Sequence, residues 1–372
     1  MARPSLVAAG QPLMPQAETL TRLMAEALDA GFLTNGGVLH QRLESEMQGL
    51  LGAPSRLVSS GTMALMLALR MGGLPEGAEI VTTPLTFAAT VQAIRWCGFR
   101  PVFADVDPAT LTLCPRATEA AITPRTAAIL PVHFLGHICD VAAFDDLARR
   151  RGLWLVYDAA HAFGQTVHDR PVASFGDLSA FSLHATKLMH SAEGGAVAGP
   201  AADVEQLARL RNFGLQGGRM TQHGTNAKMS ECNAAMGLAV LPLLPAEIAA
   251  RDALRAAYDA ALQDIPGVTP LAAQPGVRPG LIYYSLMLPP PKRMRLLAAL
   301  AEGGILARDH FPLLSGTGTC LPDAQIVTVS GEPVAPSLAP RLISLPFHGK
   351  VTGDDVARIA AITRKVAETA DP

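Results

Sequence analysis

The chain has 372 residues, of which 49% are hydrophobic and 17% are charged, and its net charge at pH 7 is −2. This length predicts two domains, and the composition predicts a well-buried α/β protein rather than a disordered chain. The near-neutral charge provides no basic field, and aromatic residues at 5% are too few for stacking on single strands, so nucleic acid is not an expected partner.

The first predicted element is an amphipathic helix, AETLTRLMAEALDAG. From about Arg56, helix-like segments alternate with short apolar runs: RLVSS, AEIVTT, RPVFADV, AAILPVHF, LWLVYDAA, LSAFSLHA and GAVAG. These runs are apolar throughout, which is typical of strands covered on both faces, so we predict a mostly parallel, doubly wound α/β sheet. Near Pro245 the pattern changes to that of a smaller α+β domain. The predicted division is therefore a large domain at 1–245 and a small domain at 246–372, and the sequence leaves open which of them the N-terminal helix contacts.

The longest apolar stretch, CNAAMGLAVLPLLPAEIAA, contains Asn233, Pro242 and Pro245, which favours a buried helix over a membrane span. The first residues, MARPSLVAAGQPLMPQ, lack an apolar core behind a basic end, so no secretory signal is predicted. The cysteines lie far apart and form no Cys-x-x-Cys pair: Cys97, Cys114, Cys139, Cys232 and Cys320. We therefore expect a cytoplasmic protein with no disulfide framework and no metal site.

Ligands of open α/β sheets bind at the carboxyl ends of the strands, and several motifs follow such ends. In SSGTMAL, Gly61 permits a tight turn and Thr62 opens a helix whose N–H groups suit a phosphate, although an ordinary capped helix start has the same residues. In LVYDAAHAFG, Asp158 follows four apolar residues. Its buried carboxylate must be protonated, cap a helix or face a cation such as a protonated cofactor ring. His161 either faces the same site or is a packed histidine.

The motif FSLHATKLMHSAEGG places Ser182 and Lys187 after another strand. A desolvated lysine is a better nucleophile, although most lysines are solvated in surface loops. In TNAKMSECNAAMGL, Asn226 and Lys228 precede a helix and by themselves indicate only a polar loop. A phosphate-binding turn, a buried aspartate, a serine and a lysine thus follow strands in this order. Pyridoxal phosphate requires this set: a lysine for attachment, an acid for the ring nitrogen and an anion site.

With these residues in place, the chain resembles the DegT/StrS family of sugar-nucleotide aminotransferases, which have fold type I. The resemblance runs from about GFLTNGGVLHQRLESEM to LISLPFHGKVTGDDV and includes the blocks SSGTMALMLAL, TTPLTFAATVQAI, YDAAHAFG, ATKLMHSAEGGA and KMSECNAAMGL. Within the family, FSLHATK and NAKM are most similar to enzymes that make dTDP-4-amino-4,6-dideoxy-glucose. The resemblance implies amination of a nucleotide-linked 4-keto-6-deoxyhexose by L-glutamate, with pyridoxal phosphate as cofactor and pyridoxamine phosphate as its intermediate form.

The resemblance also implies roles for single residues. Lys187 would attach the cofactor and move the proton, Asp158 would pair with the ring nitrogen, and His161 stands near the ring oxygen where many members carry glutamine. The remaining cofactor contacts would be Gly61, Thr62 and Ser182 at the phosphate, Phe87 stacked on the ring, and Asn226 reaching the phosphate from the other subunit of a homodimer. The candidate substrate contacts are His184, Lys228 and His310.

Three alternatives remain open. The first is amination at C3 of a 3-keto sugar. The second is a sugar dehydratase of the same family, which the presence of Lys187 disfavours because those enzymes carry histidine there, although some dehydrating relatives retain the lysine. The third is a non-catalytic regulatory homologue, which loss of Lys187 or Asp158 would have favoured.

Overall fold

The computed structural model describes residues 6–200, 203–316, 319 and 321–369, so Cys320 lies outside the described residues. The α-helices of the described chain are α1 Ala17–Asp29, α2 Val38–Leu51, α3 Gly61–Met71, α4 Ala88–Trp96, α5 Pro115–Ala121, α6 Val141–Arg151, α7 Val204–Leu210, α8 Glu231–Val240, α9 Leu244–Leu262, α10 Pro290–Glu302, α11 Ala335–Leu338 and α12 Gly353–Glu368. The strands are β1 Ser55–Val58, β2 Glu79–Thr82, β3 Arg100–Ala104, β4 Thr126–Leu130, β5 Trp154–Asp158, β6 Thr166–Val167, β7 Arg170–Pro171, β8 Leu178–Ser182, β9 Gly195–Ala198, β10 Leu215–Gln216, β11 Arg219–Met220, β12 Thr269–Pro270, β13 Tyr284–Met287, β14 Arg308–Asp309, β15 Ile326–Val327 and β16 Leu342–Leu345.

The larger sheet has the strand order β1-β9-β8-β5-β4-β2-β3-β15. All neighbouring pairs from β8 to β15 are parallel, and the two pairs that involve β9 are antiparallel. Successive residues of β5 belong to different cores: Leu155 and Tyr157 pack on one face of the sheet and Val156 on the other. Both faces are therefore covered, which explains the uninterrupted apolar runs. The predicted mostly parallel α/β sheet is confirmed.

A second, antiparallel sheet has the order β12-β13-β16-β14. It shares a separate hydrophobic core with α9, α10 and α12, in which Tyr258, Leu286, Leu300 and Ile359 are buried. Helix α12 begins with a capping box, because the hydroxyl of Thr352 accepts the N–H of Asp355 and the Asp355 carboxylate accepts the N–H of Thr352. This second core agrees with a small C-terminal domain, and the predicted division at residue 245 stays a prediction.

The chain crosses between the two regions near both ends. Close to the N-terminus, Val7 forms a β-bridge with Ile305 beside the small sheet, whereas α1 packs on α2 and α8 of the large region. Toward the C-terminus, Ile326 of β15 pairs with Phe103 of β3 and so extends the large sheet. The carboxylate of Asp105, just after β3, accepts the backbone N–H groups of Val334 and Ala335.

Among the described residues, the helical stretch Glu231–Leu262 is long and apolar enough to cross a membrane by length and composition alone. It consists of α8, a 3₁₀ turn at Leu241–Leu243 and α9. Helix α8 packs against α1 and α2, and the buried carboxylate of Glu231 accepts the N–H groups of Leu39 and His40 in the first turn of α2. Helix α8 is thus largely buried, as the sequence predicts, whereas α9 buries only part of its surface. A cytoplasmic location stays a prediction.

Candidate active site

A cavity of about 290 Å³ opens at the carboxyl ends of β5 and β8, which are neighbouring parallel strands. Asp158 is the last residue of β5 and Ser182 the last residue of β8. Because parallel strands end at the same edge of a sheet, the residues that follow them meet there. Eight residues predicted from the sequence line this cavity: Gly61, Thr62, Phe87, Asp158, His161, Ser182, His184 and Lys187.

The N-terminus of α3 forms one wall. Ser60 is its N-cap and accepts the N–H of Met63 through its hydroxyl oxygen, at 3.2 Å. Gly61 lies so close to β8 that a Cβ added to it would be 2.8 Å from the Cβ of Ser182. Only glycine therefore lets the start of α3 approach Ser182. The capped helix start is therefore observed, and because a helix N-terminus beside a serine hydroxyl suits a phosphate group, the phosphate site stays a prediction.

The carboxylate of Asp158 is buried at the floor of the cavity. Its Oδ2 accepts the hydroxyl hydrogen of Thr90 at 2.8 Å, and its Oδ1 accepts the N–H of Ala160 at 3.1 Å. Burial raises the pKa of Asp158, while Thr90, Ala160 and the positive charge of Lys187 act in the opposite direction. No helix begins at Asp158, so the helix-cap alternative does not apply. Its oxygens retain lone pairs for a further cationic donor.

Lys187 lies in the loop between β8 and β9 and faces the same cavity. Burial lowers the pKa of its amine to about 8, against the attraction of Asp158 and with a smaller contribution from the positive charge of Arg308. A lysine with this pKa is partly neutral near physiological pH, so its nitrogen is available as a nucleophile and as a base. The surface-loop alternative therefore does not describe this lysine.

His161 packs against the opposite wall, where its ring meets that of Tyr283 edge-on at 5.2 Å and lies parallel to that of Phe311 at 6.3 Å. Its Nδ1 accepts the backbone N–H of Leu135. Burial, followed by the positive charge of Lys187, lowers the pKa of His161 well below its ordinary value. A neutral imidazole that accepts a hydrogen bond at Nδ1 has its proton on Nε2, and this is the form that the arrangement favours.

Three predicted residues do not line this cavity. His310 is buried behind it, and its Nε2 is hydrogen-bonded to the hydroxyl of Ser344. Lys228 donates to the side-chain oxygen of Asn226 at 2.7 Å, and Lys228 lines a separate cavity. Asn226 is exposed. Their predicted roles stay predictions.

Several residues in or beside the cavity were missed from the sequence. Thr90 holds Asp158, and Tyr283, Arg308 and Phe311 reach the cavity from the region of the small sheet. The rings of Phe87 and Phe311, which both line the cavity, contact each other with 5.2 Å between their centroids. The signal available for Arg308 and Phe311 was their position on either side of His310 in ARDHF, a segment already regarded as close to the substrate.

The donor set fits pyridoxal phosphate. A buried carboxylate with unused lone pairs lies beneath a cavity that also holds a lysine of lowered pKa, and a helix N-terminus with a serine lies beside them. Lys187 would bind the carbon at which the cofactor is attached, and Asp158 would pair with its ring nitrogen. Ser182 and the first residues of α3 would together hold its phosphate.

Comparison with known proteins identifies a family of aminotransferases. The model of the DegT/DnrJ/EryC1/StrS aminotransferase family matches residues 16–364. The dTDP-4-amino-4,6-dideoxy-D-glucose transaminase of Shigella dysenteriae is 34% identical over 363 residues, which is 96% of this chain and 98% of that protein. The UDP-N-acetyl-3-dehydro-alpha-D-glucosamine 3-aminotransferase of Acidithiobacillus ferrooxidans is 32% identical over 354 residues, 94% of this chain and 93% of that protein. The crystal structure of DesI in the presence of its TDP-sugar product superposes with a TM-score of 0.89 at 34% identity, covering 98% of this chain and 93% of that chain.

Proposed function

The chain belongs to the DegT/DnrJ/EryC1/StrS aminotransferase family, and from this premise we propose that it aminates C4 of a nucleotide-linked 4-keto-6-deoxyhexose. It is a pyridoxal-phosphate-dependent enzyme, as this family is. The proposed acceptor is dTDP-4-keto-6-deoxy-glucose and the proposed donor is L-glutamate. The Shigella relative, which is named for the corresponding 4-amino sugar, supports this choice of acceptor.

The observation that carries the proposal is the presence of Lys187 and Asp158 in one cavity. The amine of Lys187 has its pKa lowered to about 8, mainly by burial, and the carboxylate of Asp158 lies close enough to oppose that shift. Transamination needs an amine that can lose its proton close to physiological pH and an acidic group at the ring nitrogen of the cofactor. These two residues supply both.

Pyridoxal phosphate, when bound, supplies a conjugated ring that withdraws electrons from the carbon next to the reacting nitrogen. Asp158 would hold the proton on the ring nitrogen, and the N–H groups at the start of α3 with Ser182 would fix the phosphate. Lys187, once displaced by the donor amine, would move the proton between the donor carbon and the cofactor. His161 would donate from Nε2 toward the ring oxygen, and Phe87 would cover the ring face.

We further propose that the enzyme is a homodimer in which each subunit completes the other's site. Asn226 and Lys228 do not line the cavity of their own chain, which is compatible with a contribution to a partner's cavity. Next to them, the β10–β11 hairpin exposes apolar side chains, including Met220 at 71% and, just before β10, Phe213 at 48%. Apolar residues exposed this far support burial by a second copy.

The first test is a visible absorption spectrum of the purified protein, recorded before and after addition of L-glutamate. In the second step, dTDP-4-keto-6-deoxy-glucose is added and the product is analysed by mass spectrometry and NMR spectroscopy. The expected result is a band from lysine-bound cofactor that glutamate bleaches and the keto sugar restores, with a 4-amino sugar formed. Lys187→Ala should fold and dimerise normally but show no turnover.

Other results would contradict the proposal in different ways. Absence of the band after added pyridoxal phosphate would exclude the cofactor assignment. Turnover only of a 3-keto sugar would favour the reaction named for the Acidithiobacillus relative. A product that has lost a hydroxyl group without gaining an amine would indicate a dehydratase.

A further inference from the structure

The N-terminal segment before α1 is attached to two different parts of the molecule. Beside the small sheet, Val7 donates its N–H to the carbonyl of Gly304 at 2.9 Å and accepts the N–H of Leu306 at 2.8 Å. Six residues later, the side chain of Leu13 packs against the hydrophobic core of the large region. We call residues 7–13 the strap, because they connect the two regions.

A buried histidine fixes the strap to the small sheet. His348, three residues after β16, donates from Nε2 to the carbonyl of Ala8 at 3.1 Å, while its Nδ1 accepts the N–H of Lys350 at 3.3 Å. Because a carbonyl oxygen only accepts, the ring has its proton on Nε2. The N–H of Phe347 adds a hydrogen bond to the carbonyl of Ala9 at 3.4 Å. The strap thus follows the small sheet as far as Ala9.

A second buried histidine fixes the other end of the strap in the same way. His190 donates from Nε2 to the carbonyl of Leu13 at 2.9 Å, and its Nδ1 accepts the N–H of Ala192 at 3.3 Å. His190 lies three residues after Lys187, in the loop between β8 and β9. Since both histidines are buried, water does not readily replace a hydrogen bond that either of them loses.

His190 takes part in the hydrogen bonds that close the loop around Lys187. Ala192 has a left-handed backbone, with φ at 64°, which costs a residue with a side chain about 1–2 kcal/mol. Nδ1 of His190 accepts the N–H of Ala192 in this conformation, and the carbonyl of Ala192 accepts the N–H of Ala185 at 2.8 Å. Lys187 lies between these residues and donates its own N–H to the carbonyl of His184 at 2.9 Å. The backbone position of Lys187 therefore depends on His190.

We propose that the strap couples the small sheet to the loop that carries Lys187, and that His190 is a positioning residue for Lys187. Between Ala9 and Leu13 the strap advances by only four residues, so it spans at most about 14 Å. The cavity is lined by Lys187 from the large region and by Tyr283, which directly precedes β13 of the small sheet. A connection this short limits the movement of one wall relative to the other. The inference rests on the proposed function for the role of Lys187 and adds a positioning residue to it.

Asparagine variants separate the strap contact from the local role of each histidine. In His190→Asn and His348→Asn, the side-chain oxygen can accept the N–H two residues later, as Nδ1 does, but the shorter side chain does not reach the strap. The matched control is Tyr258→Phe, which removes a buried hydrogen bond of 2.8 Å to the carbonyl of Pro346. Pro346 lies two residues before His348, so the control perturbs the same stretch of chain and leaves the strap contacts in place.

The first readout is amide hydrogen exchange of the full-length protein without added cofactor, measured by mass spectrometry on a peptide that contains residues 185–192. We expect exchange to become at least about fivefold faster in both asparagine variants and to stay within about twofold in Tyr258→Phe. The double variant should exceed the faster single variant by no more than about twofold, because both changes release the same strap. Removal of residues 1–9 should match His348→Asn, and it replaces either asparagine variant that fails to fold.

The second readout is the pH midpoint for uptake of pyridoxal phosphate at Lys187. A loosened loop exposes this amine to water, so its pKa should rise from about 8 toward that of a solvated lysine. The midpoint should move upward by at least about 0.5 pH unit in both asparagine variants and stay unchanged in Tyr258→Phe.

Three outcomes would overturn the proposal. Wild-type exchange of residues 185–192 in His348→Asn would show that the small sheet does not act on the loop. Rate increases that multiply in the double variant would show two independent effects instead of one strap. An unchanged midpoint in His190→Asn would show that His190 does not position Lys187. If the wild type takes up no cofactor at Lys187, the proposed function fails, whereas the exchange measurement still decides whether the strap acts on the loop.

Discussion

Leu135 donates its backbone N–H to Nδ1 of His161, with 3.4 Å between the two nitrogens. Leu135 has a left-handed backbone, with φ at 55°, and the next residue, Gly136, is held by the side-chain amide of Gln165. The same amide donates to the carbonyl of Arg278, at 2.8 Å for each bond. The loop that orients His161 is thus tied to the segment leading to Tyr283. We regard Gln165 as a positioning residue for this imidazole.

The first prediction concerns the tautomer of His161. In the apoprotein between pH 6 and 8, ¹⁵N NMR should show a neutral ring with its proton on Nε2, because burial and nearby cations hold its pKa well below the ordinary value. His133 is an internal reference, since its Nδ1 accepts the N–H of Cys139 and it is likewise buried. Gln165→Leu should mix the tautomers of His161 and leave His133 unchanged. A wild-type proton on Nδ1 would contradict the prediction.

The second prediction is that Asp158→Asn lowers kcat by at least about 100-fold, because a neutral amide does not stabilise a protonated ring. The matched control is Asp177→Asn. Asp177, just before β8, accepts the N–H of Leu155 near the start of β5, so it contacts the same strand as Asp158 but does not line the cavity. The control should keep its activity and lose only stability. Equal kcat values for the two variants would limit Asp158 to a structural role.

The third prediction is a pH dependence. Uptake of pyridoxal phosphate by the apoprotein requires neutral Lys187, whose pKa is lowered to about 8. The rate should therefore rise with pH and reach half its maximum near pH 8. An exposed lysine, with a pKa of 10.5, would still be gaining rate above pH 10. A midpoint in that higher range would show that the amine is solvated. Arg308→Met should move the midpoint upward, because it removes a positive charge that disfavours the ammonium form.

Thr90 carries the fourth prediction. Its hydroxyl donates to Asp158 and is also hydrogen-bonded to Thr86, at 2.7 Å. Thr90→Val keeps the shape but removes both bonds, which should cost about 1 kcal/mol and lower kcat about fivefold, whereas Thr90→Ser should stay near the wild type. Thermal unfolding measured beside kinetics separates stability from catalysis. If the serine variant is as impaired as the valine variant, the hydroxyl alone does not account for the effect of Thr90 and the prediction fails.

The fifth prediction concerns the close approach of α3 to β8. Gly61→Ala places a Cβ 2.8 Å from the Cβ of Ser182, so one of the two elements must move. We expect a destabilisation of about 1–3 kcal/mol and weaker binding of pyridoxal phosphate. Gly49→Ala in α2 is the control, since a Cβ there meets no atom within 4 Å and should leave stability equal or slightly higher. Normal cofactor affinity in Gly61→Ala would show that the helix start is not the phosphate site.

Asp158 and Lys187 were predictable because each follows an apolar run, and a run of that kind specifies both a buried strand and the sheet edge at which it ends. The presence of Arg308 and Tyr283 in the cavity was not predictable, because it depends on how the small sheet packs beside the large one. That packing is a long-range property that no local pattern encodes. Thr90 stands four residues after Thr86 in LTFAAT, but the spacing alone does not show that the pair is buried.

The strand β15 shows a second limit of sequence patterns. The strand consists only of Ile326 and Val327 and lies in a segment without periodicity, yet it pairs with β3. In such a case the partner strand, rather than local propensity, decides the conformation.

The pairing of β15 with β3 also constrains how the protein is made. During synthesis the outer edge of β3 stays uncovered until β15, more than 200 residues further along the chain, has left the ribosome. Until then the N–H and C=O groups of this edge lack their partners in Ile326 and Val327. The carboxylate of Asp105 likewise lacks the N–H groups of Val334 and Ala335. Exposed strand edges recruit other strands. We therefore expect the nascent chain to be prone to aggregate until residues 326–335 have emerged, and a gene fragment that ends near residue 245 should yield insoluble protein.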